Sequence, residues 1–171
     1  KNRIVVNSGV MQMFSPGDQV VHPMHGAGVI EEIVDRKIDG ESVQYYALKL
    51  ILDDVVLFVP VKNSEEIGLR PVCSRADAQE LIGFMGEIGQ DEDKCWNRRY
   101  RENMLRIRSG DIHEVAKVVK NLMRRNGERG LSTGEKKMLG SAQRILVSEL
   151  ALALADEPGR IEEILDKRLC L

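Results

Sequence analysis

The sequence predicts an α+β protein in two parts, a small antiparallel β module followed by a compact all-α bundle of about five helices. Three observations predict it. Short stretches rich in Val, Ile, Tyr and Leu, bounded by turn residues, fill the first part of the chain. From Ile112 onward apolar residues recur at helical spacing instead. Between the two regimes lies Pro71-Val72-Cys73-Ser74, a natural boundary. A chain of 171 residues is long enough for two modest cores.

Taken in order, residues 1–12 are set apart as an upstream or added leader, because the chain opens at Lys1. The β module is placed at 13–72 and the helical part at 73–171. Pro16-Gly17-Asp18 marks a turn into the first strand, Gln19 to Pro23. Further strands are expected over Gly28–Lys37, Val43–Ile51 and Val55–Val61. Asp39-Gly40 joins two of them, and both residues tolerate the positive φ of a tight hairpin turn. Tyr46, Leu48 and Leu50 share one face by the period of two. Val55 to Val59 is apolar throughout, so one of its faces closes a barrel or meets a partner. Short antiparallel strands within about sixty residues point to an SH3- or Tudor-like barrel.

Helices are expected over Ala76–Met85 and Lys94–Ile107. A third starts at Ile112 and carries Val115, Ala116, Val119, Leu122 and Met123 on one stripe, with Gly127 and Gly130 near its end. Ser132-Thr133-Gly134-Glu135 matches a capping box and opens a helix bearing Met138, Leu139, Ala142, Ile145, Leu146 and Leu150 on one face. A last helix begins at Asp156-Glu157-Pro158, where the missing proline N–H does no harm.

Composition excludes several classes. No apolar run approaches the ~20 residues that a membrane span needs. Cys73, Cys95 and Cys170 are odd in number and form no C-x-x-C pair, which fits a reducing cytoplasm and argues against a zinc site. No nucleophile elbow, phosphate-binding P-loop or H-E-x-x-H is present. Gly26-Ala27-Gly28 lacks a following helix and third glycine, so it reads as a strand bend. His22 and His25 lie in a turn with no third ligand nearby, and the Glu31-Glu32 and Asp53-Asp54 pairs read as solvated carboxylates. The expectation is a non-enzyme with no catalytic residues, no metal and no cofactor.

Charge is uneven. Residues 1–72 hold seven Lys/Arg against ten Asp/Glu, residues 73–155 fifteen against twelve, and residues 156–171 three against five. Between Lys94 and Arg108 six basic residues face one acid, with the sole tryptophan among them. On a helix Trp96, Tyr100 and Met104 line up at i, i+4 and i+8. Arg98 and Arg101 lie one turn apart on a flank, and Arg99 and Arg106 spread round the other side. Guanidinium groups contact phosphates, and an aromatic between them stacks on or wedges against bases. Equally, Trp96 could anchor its helix in the core while the arginines are solvated, and the residues alone leave both readings open. The second basic cluster, Arg124-Arg125, Arg129 and Lys136-Lys137, reads as ordinary helix surface.

The run Phe14-Ser15-Pro16-Gly17-Asp18-Gln19-Val20-Val21-His22-Pro23-Met24-His25-Gly26-Ala27-Gly28-Val29, with Val59-Pro60 and Ile67-Gly68-Leu69-Arg70, resembles the RNA-polymerase-interacting domain of the CarD/CdnL regulators. A similar module occurs in the bacterial transcription–repair coupling factor, beside a motor that has no counterpart in this chain. The helical part also resembles CarD/CdnL, in Trp96-Asn97-Arg98-Arg99-Tyr100, Ser109-Gly110-Asp111, Glu128-Arg129-Gly130-Leu131-Ser132 and Glu135-Lys136. The match runs from about Phe14 to Leu169.

The resemblance implies a Tudor-like domain that docks on the RNA polymerase β subunit and a helical domain set beside the upstream edge of the promoter bubble. Trp96 would wedge into the minor groove there and slow bubble collapse, while Arg98, Arg99 and Arg101 hold the DNA backbone without reading sequence. Arg36 and the strand around Leu57, Phe58 and Val59 would make the polymerase contact, by strand addition at an exposed edge. Some relatives place Arg where this chain has Phe58. An internal barrel position for Phe58 and a plain surface position for Arg36 are the competing readings. The implied protein is a cytoplasmic, cofactor-free, open-complex-stabilising regulator. It is expected to be a monomer, with exposed strand edges leaving a domain-swapped dimer open. The alternative is a polymerase-bound adaptor whose helical domain binds another protein rather than DNA.

Overall fold

In the computed structural model, residues 5–7, 10–38, 40–89 and 95–169 are described. Strands β1 (Val5–Asn7) and β2 (Val10–Gln12) pair antiparallel as a ribbon of their own. The main sheet comprises β3 (Gln19–His22), β4 (Gly26–Ile38), β5 (Glu41–Leu50), β6 (Val56–Pro60) and the short β7 (Arg70–Pro71). Its order is β6-β5-β4-β3-β7, antiparallel between every pair of neighbours. The expected barrel is therefore an open one: among the described residues β6 and β7 are its edges, joined in sequence by a single 3₁₀ turn and the one-turn helix α1 (Ser64–Ile67). Between β4 and β5 Gly40 takes φ 86°, as the hairpin requires, while Asp39 lies outside the described residues.

Alternation decides what each strand buries. Val20, Ile30, Tyr46, Leu48, Leu50 and Val59 point to one side and pack with Phe14, Val61 and Leu69 into the core of the β region. The Phe14 N–H donates to the Tyr46 hydroxyl at 3.3 Å, and the two rings meet edge to face. A bulge between Ile30 and Glu32 shifts the β4–β5 register and keeps the long strand bent over this core.

Five helices follow among the described residues: α2 (Arg75–Phe84), α3 (Trp96–Arg108), α4 (Ile112–Arg129), α5 (Thr133–Leu154) and α6 (Pro158–Leu169). Their ends obey local chemistry. Ser74 and Asp77 form a capping box on α2, Ser132 and Glu135 form the expected one on α5, and the Asp111 carboxylate accepts from the His113 N–H on α4. Gly130 at φ 75° ends α4, whereas Gly127 stays inside it. Lys94, expected to open α3, lies outside the described residues. Helix α5 is the centre of the bundle, with Met138, Ala142, Ile145, Leu146, Val147, Leu150 and Ala151 buried. No single helix among the described residues is long and apolar enough to cross a membrane.

The two regions share a core. Val21 and Ala27, paired across β3 and β4, face away from Val20 and join the helical cluster beneath α5. The Ala27 N–H donates to Ser148 Oγ at 2.8 Å. Both Arg70 Nη atoms donate to the fully buried Glu149 carboxylate at 2.6 Å, and the Cys73 N–H adds a third bond at 3.1 Å. At the rim Arg144 pairs with Asp53. These contacts hold the sheet on the middle of α5 and set the angle between the two regions.

At the β3–β4 turn, burial first and then the charge of His25 push His22 down to about 4. Its Nδ1 accepts from the Met24 N–H at 3.1 Å, which requires the neutral ring. The unfolded chain takes up this proton near the ordinary value of about 6.5. The fold resists it, so the stability His22 contributes is present above that pH and is lost as pH falls toward 4. Denaturant midpoints between pH 7 and 4 should therefore decline for the native protein and decline less for His22→Gln.

Candidate functional site

Helix α3 begins at Trp96, so the indole stands at the N-terminal end of the helix. Trp96 is 44 % exposed. Its ring stacks on Tyr100 with centroids 5.3 Å apart, and Nε1 donates to Ser132 Oγ at 3.3 Å. Gly134 lies beside both rings: a Cβ there would make ordinary contact, 3.6 Å from Tyr100 and 3.9 Å from Trp96. Of the two readings the residues left open, the core anchor does not hold. The indole is propped from below by Tyr100 and from the side by the first turn of α5, and one part of it meets solvent.

The neighbouring arginines separate. Arg99, expected to hold a DNA backbone, is only 8 % exposed and donates to Glu135 Oε1 at 3.0 Å. That ion pair ties α3 to α5 and turns this guanidinium inward, away from the exposed face that Arg98 and Arg101 share. The Glu135 carboxylate also accepts from the Ser132 N–H at 3.1 Å and Oγ at 2.8 Å, with Arg125 Nε at 3.5 Å. Burial opposes its charge, but the hydrogen bonds from Arg99 and Ser132 and the charge of Arg125 outweigh burial and hold it below the usual carboxylate range. Arg98 and Arg101 are exposed. At about 3.6 residues per turn they fall on the outer stripe of α3 with Leu105 and Arg108, whereas Trp96 lines up with Tyr100, Asn103 and Ile107 on the inner one.

Besides Tyr100 on its own helix, Trp96 meets Ser132 and Gly134 at the start of α5. Lys136 and Lys137 are exposed in its first turns. Their exposure agrees with the helix-surface expectation, while Trp96 and Ser132 are 36 positions apart and no local pattern connects them. Arg124 and Arg125 are engaged instead with Glu128 and Glu135.

A second surface lies on the edge strand β6. Phe58 is 38 % exposed, and the Arg36 guanidinium carbon lies 3.8 Å above its ring centroid. The structure thus brings together two of the four residues expected to meet a partner. Leu57 is half-buried against the core of the β region, and Val59 is 2 % exposed within it. By the period of two the Val59 side chain belongs to the core, so at this edge it offers its main chain.

No three His, Cys, Asp or Glu side chains converge to hold a metal ion among the described residues. Burial, then the Glu149 charge, pushes the Cys73 thiol up to about 12, where it is neither nucleophile nor ligand at neutral pH.

Comparison with known proteins finds two family models along the chain. One, described as "CarD-like/TRCF RID domain", matches residues 14–73, and another, "CarD, C-terminal domain", matches residues 80–166. Over 138 residues the chain is 36 % identical to "Putative transcription factor YdeB" of Bacillus subtilis (strain 168), covering 81 % of this chain and 90 % of that protein.

Proposed function

The chain belongs to the CarD family, whose domains are those of transcription regulators that act with RNA polymerase, and from that premise we propose that it stabilises the promoter open complex. The β6 edge with Arg36 and Phe58 docks on the polymerase β subunit. The Trp96 end of the bundle meets DNA at the upstream edge of the bubble.

The observation that carries this reading is the state of Trp96: a large aromatic held in place by Tyr100 and Ser132 and still open to solvent. A rigid, half-exposed ring inserts between already strained base steps at little entropic cost. Exposed Arg98, Arg101, Lys136 and Lys137 supply phosphate contacts that position without reading sequence. Docking on polymerase raises the local concentration of this modest basic surface, so weak intrinsic DNA affinity suffices. The contacts between the sheet and α5 keep the two surfaces at a constant separation. No cofactor enters the scheme.

The test is the lifetime of open complexes formed by bacterial RNA polymerase, with and without this protein and with Trp96→Ala. The native protein is expected to lengthen the lifetime several-fold. The variant should fold, bind polymerase as the native protein does and give no lengthening. Equal lifetimes with both proteins would make Trp96 a surface support and favour the adaptor reading, in which the helical part binds another protein.

A further inference from the structure

We propose that Phe58 is a positioning residue for Arg36, and that the two act as one preformed docking element for a carboxylate carried by the polymerase. The inference rests on the docking reading above and deepens it by naming the chemistry of the contact.

The register explains how the pair meets. Arg36 on β4 pairs with Val43, and Phe58 on β6 pairs with Ala47. Val43, Tyr45 and Ala47 share one face of β5 by the period of two, so Arg36 and Phe58 stand on that same face, on either side of the strand. The Arg36 side chain reaches across β5 and lies over the ring at 3.8 Å, well inside the range of about 6 Å for a cation–π contact. Both residues are exposed.

Stacking occupies the flat face of a guanidinium and leaves its in-plane N–H groups directed outward. Among the described residues no carboxylate pairs with Arg36. A fork of donors held in one orientation and lacking an internal acceptor fits an external carboxylate in bidentate geometry. An arginine on an exposed strand otherwise samples many rotamers, and a partner must order it on binding; the ring removes part of that cost beforehand. The exposed part of the Phe58 ring adds an apolar contact beside the charged one. The element therefore suits an extended acidic segment that also bears an apolar side chain, laid along the β6 edge.

The experiment is a double-mutant cycle on the full chain, measuring affinity for RNA polymerase with Arg36→Ala, Phe58→Leu, the double variant and Phe58→Trp. Phe58→Leu keeps an apolar group but removes the π face, and it should weaken binding about two- to fivefold. Arg36→Ala should weaken it more. The double variant should be no worse than Arg36→Ala, because the ring acts through the guanidinium. Phe58→Trp should retain native affinity, a rescue that a merely structural role would not predict. Unfolding midpoints near native for all four confirm that the differences lie in binding. Losses that multiply in the double variant, or an unaffected Phe58→Leu, would overturn the positioning role while leaving docking intact. If Arg36→Ala and a strand-blocking Leu57→Pro that still folds both bind as the native protein does, the docking reading itself fails, and the inference with it.

Discussion

Replacing Glu149 by alanine is expected to lower the unfolding free energy by about 3–5 kcal/mol, the range for breaking a buried ion pair by removing one partner. The carboxylate is fully buried on α5 and takes both Nη donors of Arg70 and the Cys73 N–H. Its removal strands a guanidinium that is only one-quarter exposed and a main-chain N–H between sheet and helix. Glu149→Gln keeps the shape and one acceptor, so it should cost less. The paired change Arg70→Met with Glu149→Leu should recover most of the loss, since hydrophobic replacement of a buried pair is often neutral. Denaturant titration measures all four. A native-like midpoint for Glu149→Ala would show that the apolar contacts of Val21 and Ala27 hold the sheet on α5 without the ion pair.

The second large effect is expected at Gly28, where alanine should cost about 3 kcal/mol. Backbone angles are not the cause. A Cβ at Gly28 would lie 2.2 Å from the Lys49 carbonyl oxygen and 2.9 Å from its carbon, both main-chain atoms of the neighbouring strand. Gly28 pairs with Leu50 and Val29 with Lys49, so β5 can retreat only by opening the ladder at the centre of the sheet. The loss should appear in the unfolding midpoint and in faster amide exchange along β5. Unchanged exchange at Leu48 to Leu50 would mean that the strand absorbs the methyl without parting.

Much of this molecule was legible in order. The four expected strands lie within two or three residues of β3 to β6, because alternation, β-branching and turn residues are short-range signals. The Ser132–Glu135 capping box and the start of α6 at Pro158 were likewise local. For two of the expected site residues a local signal already showed the direction of the side chain. Arg99 shares its stripe with Asn103 and Ile107 at i+4 and i+8, all three buried, which marks it as inward-facing. Val59 follows Leu57 by two and so faces the same core.

By itself, then, the sequence determined the two-part α+β order, the helix caps, the hairpin turns and the residues that carry the family resemblance, since each depends on neighbours within a few positions along the chain. Tertiary structure alone decided which of those residues work together. Trp96 meets Ser132 across 36 positions, Arg70 meets Glu149 across 79, and Arg36 meets Phe58 across an intervening strand. Such pairs are chosen by sheet register and helix packing. These come from burying two apolar clusters at once, and a side chain's charge or aromaticity does not reveal on which side of that packing it will stand.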